Sequence, residues 1–201
     1  MTLKKFAQRY KSWKRENKKL RHWKASGYAL PAPQTVKQGV LLRNALPDGL
    51  WVETGTYVGT TTQFLAEHYN FVHTIEPAEI FYQKAVKKFM GMNVNVHHGS
   101  SEQVMPELLK QLSGNANFWL DGHYSGGETF YGDQECPIID ELDAIRSNRA
   151  NLNKITIFID DIRCFYPDTL QSGYPLISYL TNWSEENGMT WRIEHDIMII
   201  R

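Results

Sequence analysis

Residues 51–62, WVETGTYVGTTT, set the frame for the whole chain. An apolar run ends in Glu53-Thr54-Gly55, passes Tyr57 and Gly59, and enters a segment beginning Thr60-Thr61 that has helical spacing. Strand, glycine turn and helix in that order form a common device for holding a nucleotide-like ligand above a parallel sheet. The glycines permit a tight turn and close backbone approach, and the helix start offers N–H groups with no partner inside the helix. Many sheet proteins turn on glycines here and bind nothing, so the meaning of the turn depends on its neighbours.

Outward from this stretch, strands and helices alternate. The first strand is read over 50–53, followed by a helix over 60–68. The second strand, 71–75, ends in Glu76-Pro77 and leads to a helix over 79–89 with Ile80, Phe81, Ala85 and Phe89 on or near one face. A third strand over 94–96 gives way to His97-His98-Gly99-Ser100-Ser101, then a helix over 104–112. The fourth, 117–120, ends in Asp121-Gly122-His123. A glycine-rich polar segment reaches Pro137, residues 138–146 are helical, and a fifth strand over 155–159 ends in Asp160-Asp161. Residues 190–194 and 197–200, separated by His195-Asp196, read as an antiparallel pair. The expected fold class is α/β: a Rossmann-like sheet of about seven strands, mostly parallel, with a C-terminal antiparallel hairpin and helices on both faces.

The 201 residues suit one substantial domain preceded by an arm. The division is 1–34, a basic N-terminal helical arm, and 35–201, the sheet domain. In the arm Phe6, Tyr10, Trp13, Leu20 and Trp23 recur at roughly helical spacing, and Pro31 and Pro33 break the pattern. A further helix starts near Thr35 and carries Val36, Val40, Leu41, Leu42 and Ala45 towards Pro47-Asp48-Gly49. Charge is uneven: residues 1–24 hold ten Lys/Arg and one acid, Glu16, while the other 177 residues hold twelve Lys/Arg against 21 acids, a net charge of −9. That acidity argues against a nucleic-acid-binding body. The arm is open to three roles: packing on its own domain, building a homo-oligomer, or peripheral contact with an anionic membrane or phosphate-bearing carrier. Cys136 and Cys164 form no CxxC pair and no secreted disulfide framework. With neither a membrane-spanning apolar run nor a secretory leader, the expected compartment is the cytoplasm.

In an open parallel sheet, ligands bind outside the carboxyl ends of the strands. Each strand-to-helix junction here carries polar chemistry there. Glu76 is placed to accept from vicinal hydroxyls of a ribose, or to cap the following helix. Gly99-Ser100-Ser101 suits close approach of a flat base, and Ser100 or Ser101 equally suits a helix N-cap. Asp121, Asp160 and Asp161 would repel one another unless protons, bases or a cation compensate them. Oxygen ligands of this kind suit Mg²⁺, which would lower a bound hydroxyl's pKa. Alternatively Asp121 alone handles a ligand while the Asp160-Asp161 pair serves structure. His123 suits a general base or a loop-stabilising role. His97, His98 and His123 leave a transition-metal site open, and Tyr124 to Pro137 is a candidate lid bearing Glu128, Tyr131, Asp133 and Glu135.

VETGTYVGTTT at 52–62, HTIEP at 73–77, FWLDG at 118–122, FIDD at 158–161 and the terminal TWRIEHDIMIIR together resemble the class I S-adenosylmethionine-dependent methyltransferases over about residues 36–201. Within them, Asp121 with Asp160 and Asp161 resembles the Mg²⁺-dependent O-methyltransferases of the catechol and macrolide-sugar types. The resemblance implies S-adenosyl-L-methionine as cofactor, with Mg²⁺ on those three aspartates. It implies cofactor contacts from Glu53, Gly55, Thr56, Tyr57, Gly59, Thr60, Thr61, Glu76, Ser100, Ser101 and Asp121, and a catalytic pair of His123 and Asp121. The acceptor is then a hydroxyl of a sugar, glycoconjugate, small polyol or phenol. Residues 121–137 depart from both types by their length and glycine content. Two other classes stay open: a nicotinamide-dependent oxidoreductase, although G-x-x-x-G at 55–59 differs from a compact G-x-G-x-x-G, and a non-catalytic scaffold that binds a partner through the arm.

Overall fold

Successive strand residues alternate between two apolar layers. Val52, Ile75, Phe118 and Ile157 belong to one layer and Trp51, Trp119 and Phe158 to the other, each at most 1 % exposed. A sheet buried on both faces needs nearly continuous apolar strands, which LWVET, NFWL and ITIFI supply. Each large side chain so buried stabilises the fold by about 1.5–3 kcal/mol before entropy is counted.

A computed structural model describes residues 3–122 and 136–201, with side chains from Trp13 onward outside the gap. The elements are α1 (Leu3–Ala25), α2 (Gln34–Asn44), β1 (Leu50–Thr54), α3 (Thr60–His68), β2 (Val72–Glu76), α4 (Glu79–Phe89) and β3 (Val94–His98). They continue with α5 (Ser101–Lys110), β4 (Gly114–Leu120), α6 (Ile138–Ser147), β5 (Leu152–Ile159), α7 (Ile177–Glu186), β6 (Trp191–Glu194) and β7 (Ile197–Ile200). Sheet order is β3-β2-β1-β4-β5-β7-β6, parallel except for β7, which runs antiparallel to both neighbours. The mostly parallel sheet with a closing hairpin is the fold the sequence predicts. Strand order reverses between β1 and β4, so the crevice lies above Thr54 and Leu120. Helices α2, α3 and α4 cover the Trp51 face, and α5, α6 and α7 cover the other. No helix among the described residues is long and apolar enough to cross a membrane.

Several local expectations change. The third strand continues through His98, because His97 and His98 pair with Ile75 and Glu76 of β2; these histidines are strand residues, not a loop. Helix α5 starts at Ser101, earlier than Val104. Ile80 is exposed while Phe81, Ala85 and Phe89 face the core. Helix α7 has no counterpart in the sequence reading; Leu180 and Trp183 supply its buried stripe among Ser, Thr and Asn that obscure it. In the arm, Trp13 is exposed, whereas Trp23 is buried against the rings of Tyr28 and His195.

Candidate functional site

The turn after β1 is held by close approach. Gly55 has φ +79°, and a Cβ there would lie 2.4 Å from the Asp121 carbonyl oxygen, so the end of β1 and the end of β4 touch only because residue 55 lacks a side chain. Gly59, at φ +68°, begins α3, and a Cβ there would lie 2.7 Å from the Phe89 ring. Lys88 of α4 donates to the carbonyls of Val58 and Gly59 at 2.9 and 2.6 Å. Between the glycines, Tyr57 is also left-handed, at φ +50°.

Two buried carboxylates brace this turn from below. Glu53 accepts from the Thr62 and Thr74 hydroxyls at 2.5 and 2.6 Å, and Thr74 is joined by Thr56 at 2.6 Å. Burial pushes the Glu53 carboxyl up to about 7, against the pull of those two threonines. Glu76 accepts from the backbone N–H of Tyr57 at 2.7 Å and of Ala78 at 2.9 Å. Burial raises its pKa while those N–H groups oppose the rise. Each Glu76 oxygen keeps a second lone pair for a ligand hydroxyl. Beside it, Gly99 donates to the Glu76 carbonyl, and Ser100 precedes α5 without making a side-chain cap. The Ser100 hydroxyl is buried with no hydrogen-bond partner among the described residues. Ser101 is buried in the first turn of α5.

On the other side of the turn, Asp121, Asp160 and Asp161 bring carboxylate oxygens within 4.8 Å of one another. Helix α2 inserts a cation here: Lys37 Nζ donates to Asp160 Oδ2 at 2.5 Å and to Asp161 Oδ1 at 3.0 Å. Burial disfavours the Lys37 charge, but the facing aspartates outweigh it and raise its pKa. Arg163 donates to Asp161 at 2.7 Å and to Asp196, the buried hairpin residue. Asp160 is driven above the usual carboxylate range, first by burial and then by Asp121. Its Oδ1 has no hydrogen-bond partner among the described residues. Four carboxylates against Lys37 and Arg163 leave a formal charge of −2. Oxygen donors, a partnerless buried oxygen and that deficit together fit a hard divalent cation.

A cleft of about 560 Å³ opens over Gly55, Thr56, Tyr57, Val58, Thr60, Thr61 and Asp121. Its opposite wall comes from Gln34, Thr35 and Gln38 of α2 and from Arg15, Glu16 and Lys19 of α1. The structure thus brings Gly55, Thr56, Tyr57, Thr60, Thr61 and Asp121 around one space. Glu53 lies beneath the turn, while Glu76 and Ser100 lie past Tyr57. His97 rests on His73 at 3.0 Å and His98 on Glu79 at 3.2 Å, both on edge strand β3, with β2 and β1 between them and β4. Burial lowers the pKa of His97, and burial followed by His97 lowers that of His73 to about 4. His123 and the candidate lid up to Glu135 lie outside the described residues; the last two lid residues, Cys136 and Pro137, are buried and lead into α6. The sequence reading passed over Lys37, Arg163, Asp196 and the arm's cleft-lining trio. Lys37 was detectable: with Val40, Leu41 and Asn44 it forms the i, i+3, i+4, i+7 stripe that α2 buries, and a lysine on such a stripe demands a buried carboxylate.

No protein-family model and no curated protein sequence matches this chain. Solved structures resemble it in fold. A precorrin-6y C5,15-methyltransferase from Geobacter metallireducens superposes with a TM-score of 0.53 at 16 % identity, covering 85 % of this chain and 88 % of that one. A candidate rRNA-methylase from Clostridium thermocellum gives a TM-score of 0.51 at 13 % identity, covering 82 % and 92 %. Identities this low speak of fold alone, and the chain has the Rossmann-like fold these methyltransferases share.

Proposed function

We propose that the chain is an S-adenosylmethionine-dependent methyltransferase that methylates a hydroxyl oxygen with the help of a divalent cation. The observation that carries this reading is the contact between the Gly55 turn and Asp121, which sets a cofactor-type turn directly beside a cluster of carboxylates. Glu76 offers lone pairs to ribose hydroxyls, and the Ser100 hydroxyl offers a partner to an adenine edge. The methyl end of the cofactor then lies over Gly55 and Thr56, next to Asp121.

In the transfer, a lone pair of the acceptor oxygen forms the new O–CH₃ bond as the C–S bond breaks and its electron pair returns to sulfur. The hydroxyl proton passes to a carboxylate of the cluster. The chain's main task is alignment of oxygen, carbon and sulfur. Asp121, Asp160 and Asp161 would hold Mg²⁺, which supplies a lowered hydroxyl pKa and a fixed oxygen position. An acidic floor favours a sugar, glycoconjugate, polyol or phenol hydroxyl. The net charge of −9 outside residues 1–24 disfavours an RNA acceptor such as the one in the Clostridium protein's name.

Calorimetry with S-adenosylmethionine and NAD separates this reading from an oxidoreductase and from a scaffold. Saturable binding of S-adenosylmethionine alone is expected; binding of NAD alone, or of neither, refutes it. Methyl transfer from labelled cofactor to sugars, glycans and phenols, with and without chelator, then tests the cation. Full-rate transfer after exhaustive chelation rules the metal step out.

A further inference from the structure

Helix α1 forms part of the cleft wall. Arg15, Glu16 and Lys19 line the wall facing Gly55–Thr61, and Trp23, one turn further along, is buried against Tyr28 and His195. That buried indole fixes which face of α1 looks inward. Glu16 is bracketed by two cations, Lys19 at 3.2 Å and Arg15 at 3.7 Å, both of which approach its Oε1. Its Oε2 is buried and has no hydrogen-bond partner among the described residues. A carboxylate oxygen enclosed without a donor is costly, and a cationic donor entering the cleft relieves that cost.

The direction of the cofactor says which donor this is. Glu76, the ribose partner, lies past Tyr57 and does not line the cleft. A nucleoside anchored there that continues over Gly55–Thr61 towards Asp121 brings its far end into the space facing α1. In S-adenosylmethionine that end is an amino acid, with one α-ammonium and one α-carboxylate. The wall presents cation, anion, cation in the order Arg15, Glu16, Lys19, which is complementary to such a zwitterion. Thr60 and Thr61 add the open N–H groups of the first turn of α3, and Gln34 of α2 holds the Thr61 hydroxyl at 2.9 Å.

We propose that α1 completes the amino-acid end of the cofactor site, with Glu16 accepting from the α-ammonium and Arg15 and Lys19 donating to the α-carboxylate. This rests on the S-adenosylmethionine reading above. It gives the basic arm a role as part of a binding site, and makes Arg15, Glu16 and Lys19 specificity-determining residues for the cofactor.

The test uses two probes on the full chain: S-adenosylhomocysteine, which carries the zwitterion, and 5′-methylthioadenosine, which keeps the adenosine and thioether but lacks it. Calorimetric titration should show wild-type protein preferring S-adenosylhomocysteine. Glu16→Gln, and Arg15→Ala combined with Lys19→Ala, should each weaken S-adenosylhomocysteine by about ten-fold or more. Both should leave 5′-methylthioadenosine unchanged. Lys18→Ala, on the same helix but exposed and away from the cleft, should change neither. An unchanged ratio between the two probes in the cleft variants overturns the assignment, whether both affinities fall together or neither moves. Failure of wild-type protein to bind either probe overturns the S-adenosylmethionine reading itself, and the arm's role with it.

Discussion

Replacing Lys37 by Met removes one ammonium while keeping a straight apolar stem to fill its channel. The lysine side chain is 11 % exposed and that of Asp160 3 %, so solvent screens their interaction little. Two carboxylates 4.8 Å apart, the outer limit for this cluster, repel by about 3 kcal/mol at an effective dielectric constant of about 20. Breaking a buried ion pair from one side costs about 3–5 kcal/mol. Asp160 limits the damage, since it can take up a proton once the ammonium is gone. The expected loss is therefore near the lower figure, about 3 kcal/mol, which for a chain of this size is a fall in Tm of about 6–12 °C.

A cation other than Lys37 should repair the loss. Without Lys37 the cluster needs a positive charge from elsewhere, a proton on Asp160 or a bound ion, so a divalent cation should stabilise the variant more than the wild type. Thermal unfolding followed by circular dichroism, in chelator and in excess Mg²⁺, measures both effects. A drop in Tm under about 2 °C in chelator would show that Lys37 does not compensate the aspartates. Equal Mg²⁺ stabilisation of variant and wild type would show that the cluster's charge deficit is not what recruits the cation.

Gly55→Ala should cost about 2–4 kcal/mol, because a left-handed alanine is strained and its methyl meets a backbone oxygen; urea unfolding measures the loss, and a variant as stable as wild type refutes the contact with Asp121. Glu53 binds its proton more tightly folded than unfolded, so its share of stability is full below pH 4.5 and falls as pH rises towards 7. Glu53→Gln should flatten the pH dependence of unfolding free energy over that window by up to about 3 kcal/mol, and an unaltered slope in urea melts would count against the buried carboxyl. His73 has the opposite sign: its pKa drops from 6.5 to about 4 on folding, so stability is full above pH 6.5 and is lost as pH falls towards 4. His73→Phe should make the protein more acid-resistant, read as a lower pH midpoint of unfolding; an unchanged midpoint would mean that the histidine pair does not resist protonation.

Most of the fold could be read from residues because each strand is a short apolar run with a polar stop. Glu53-Thr54-Gly55, Asp121-Gly122 and Asp160-Asp161 mark the strand ends where hydrogen bonding to the next strand ceases. His97 and His98 misled because imidazoles look like loop chemistry, whereas an edge strand with one open side accommodates them well. The roles inside the site were harder to read. Glu53 looks like a ligand contact in sequence, but two threonines nine and 21 residues away use its carboxylate internally. Lys37 meets Asp160 and Asp161 over separations of 123 and 124 residues, and Asp196 joins the cluster through Arg163 across 33. The buried stripe of α2 therefore calls for a carboxylate without saying which one; only Arg163 and Asp161 are close in sequence. Arg15, Glu16 and Lys19 sit in a stretch whose overall basicity conceals the single acid that matters.

The sheet order also fixes a sequence of events. Strand β7 lies between β5 and β6 although β6 comes first in the chain, and among the described residues β6 pairs with β7 alone. While the protein is being synthesised, residues 191–194 therefore have no strand to join until 197–200 have followed them out of the ribosome. Strand β7, with all four side chains buried, closes a β5 edge left open until then. Asp196 sits at the bend of that hairpin, so it reaches Arg163 in the same step. The hairpin that closes the sheet thus also carries a member of the aspartate cluster's charge network, and a nascent chain that lacks it presents an unprotected strand edge to its neighbours.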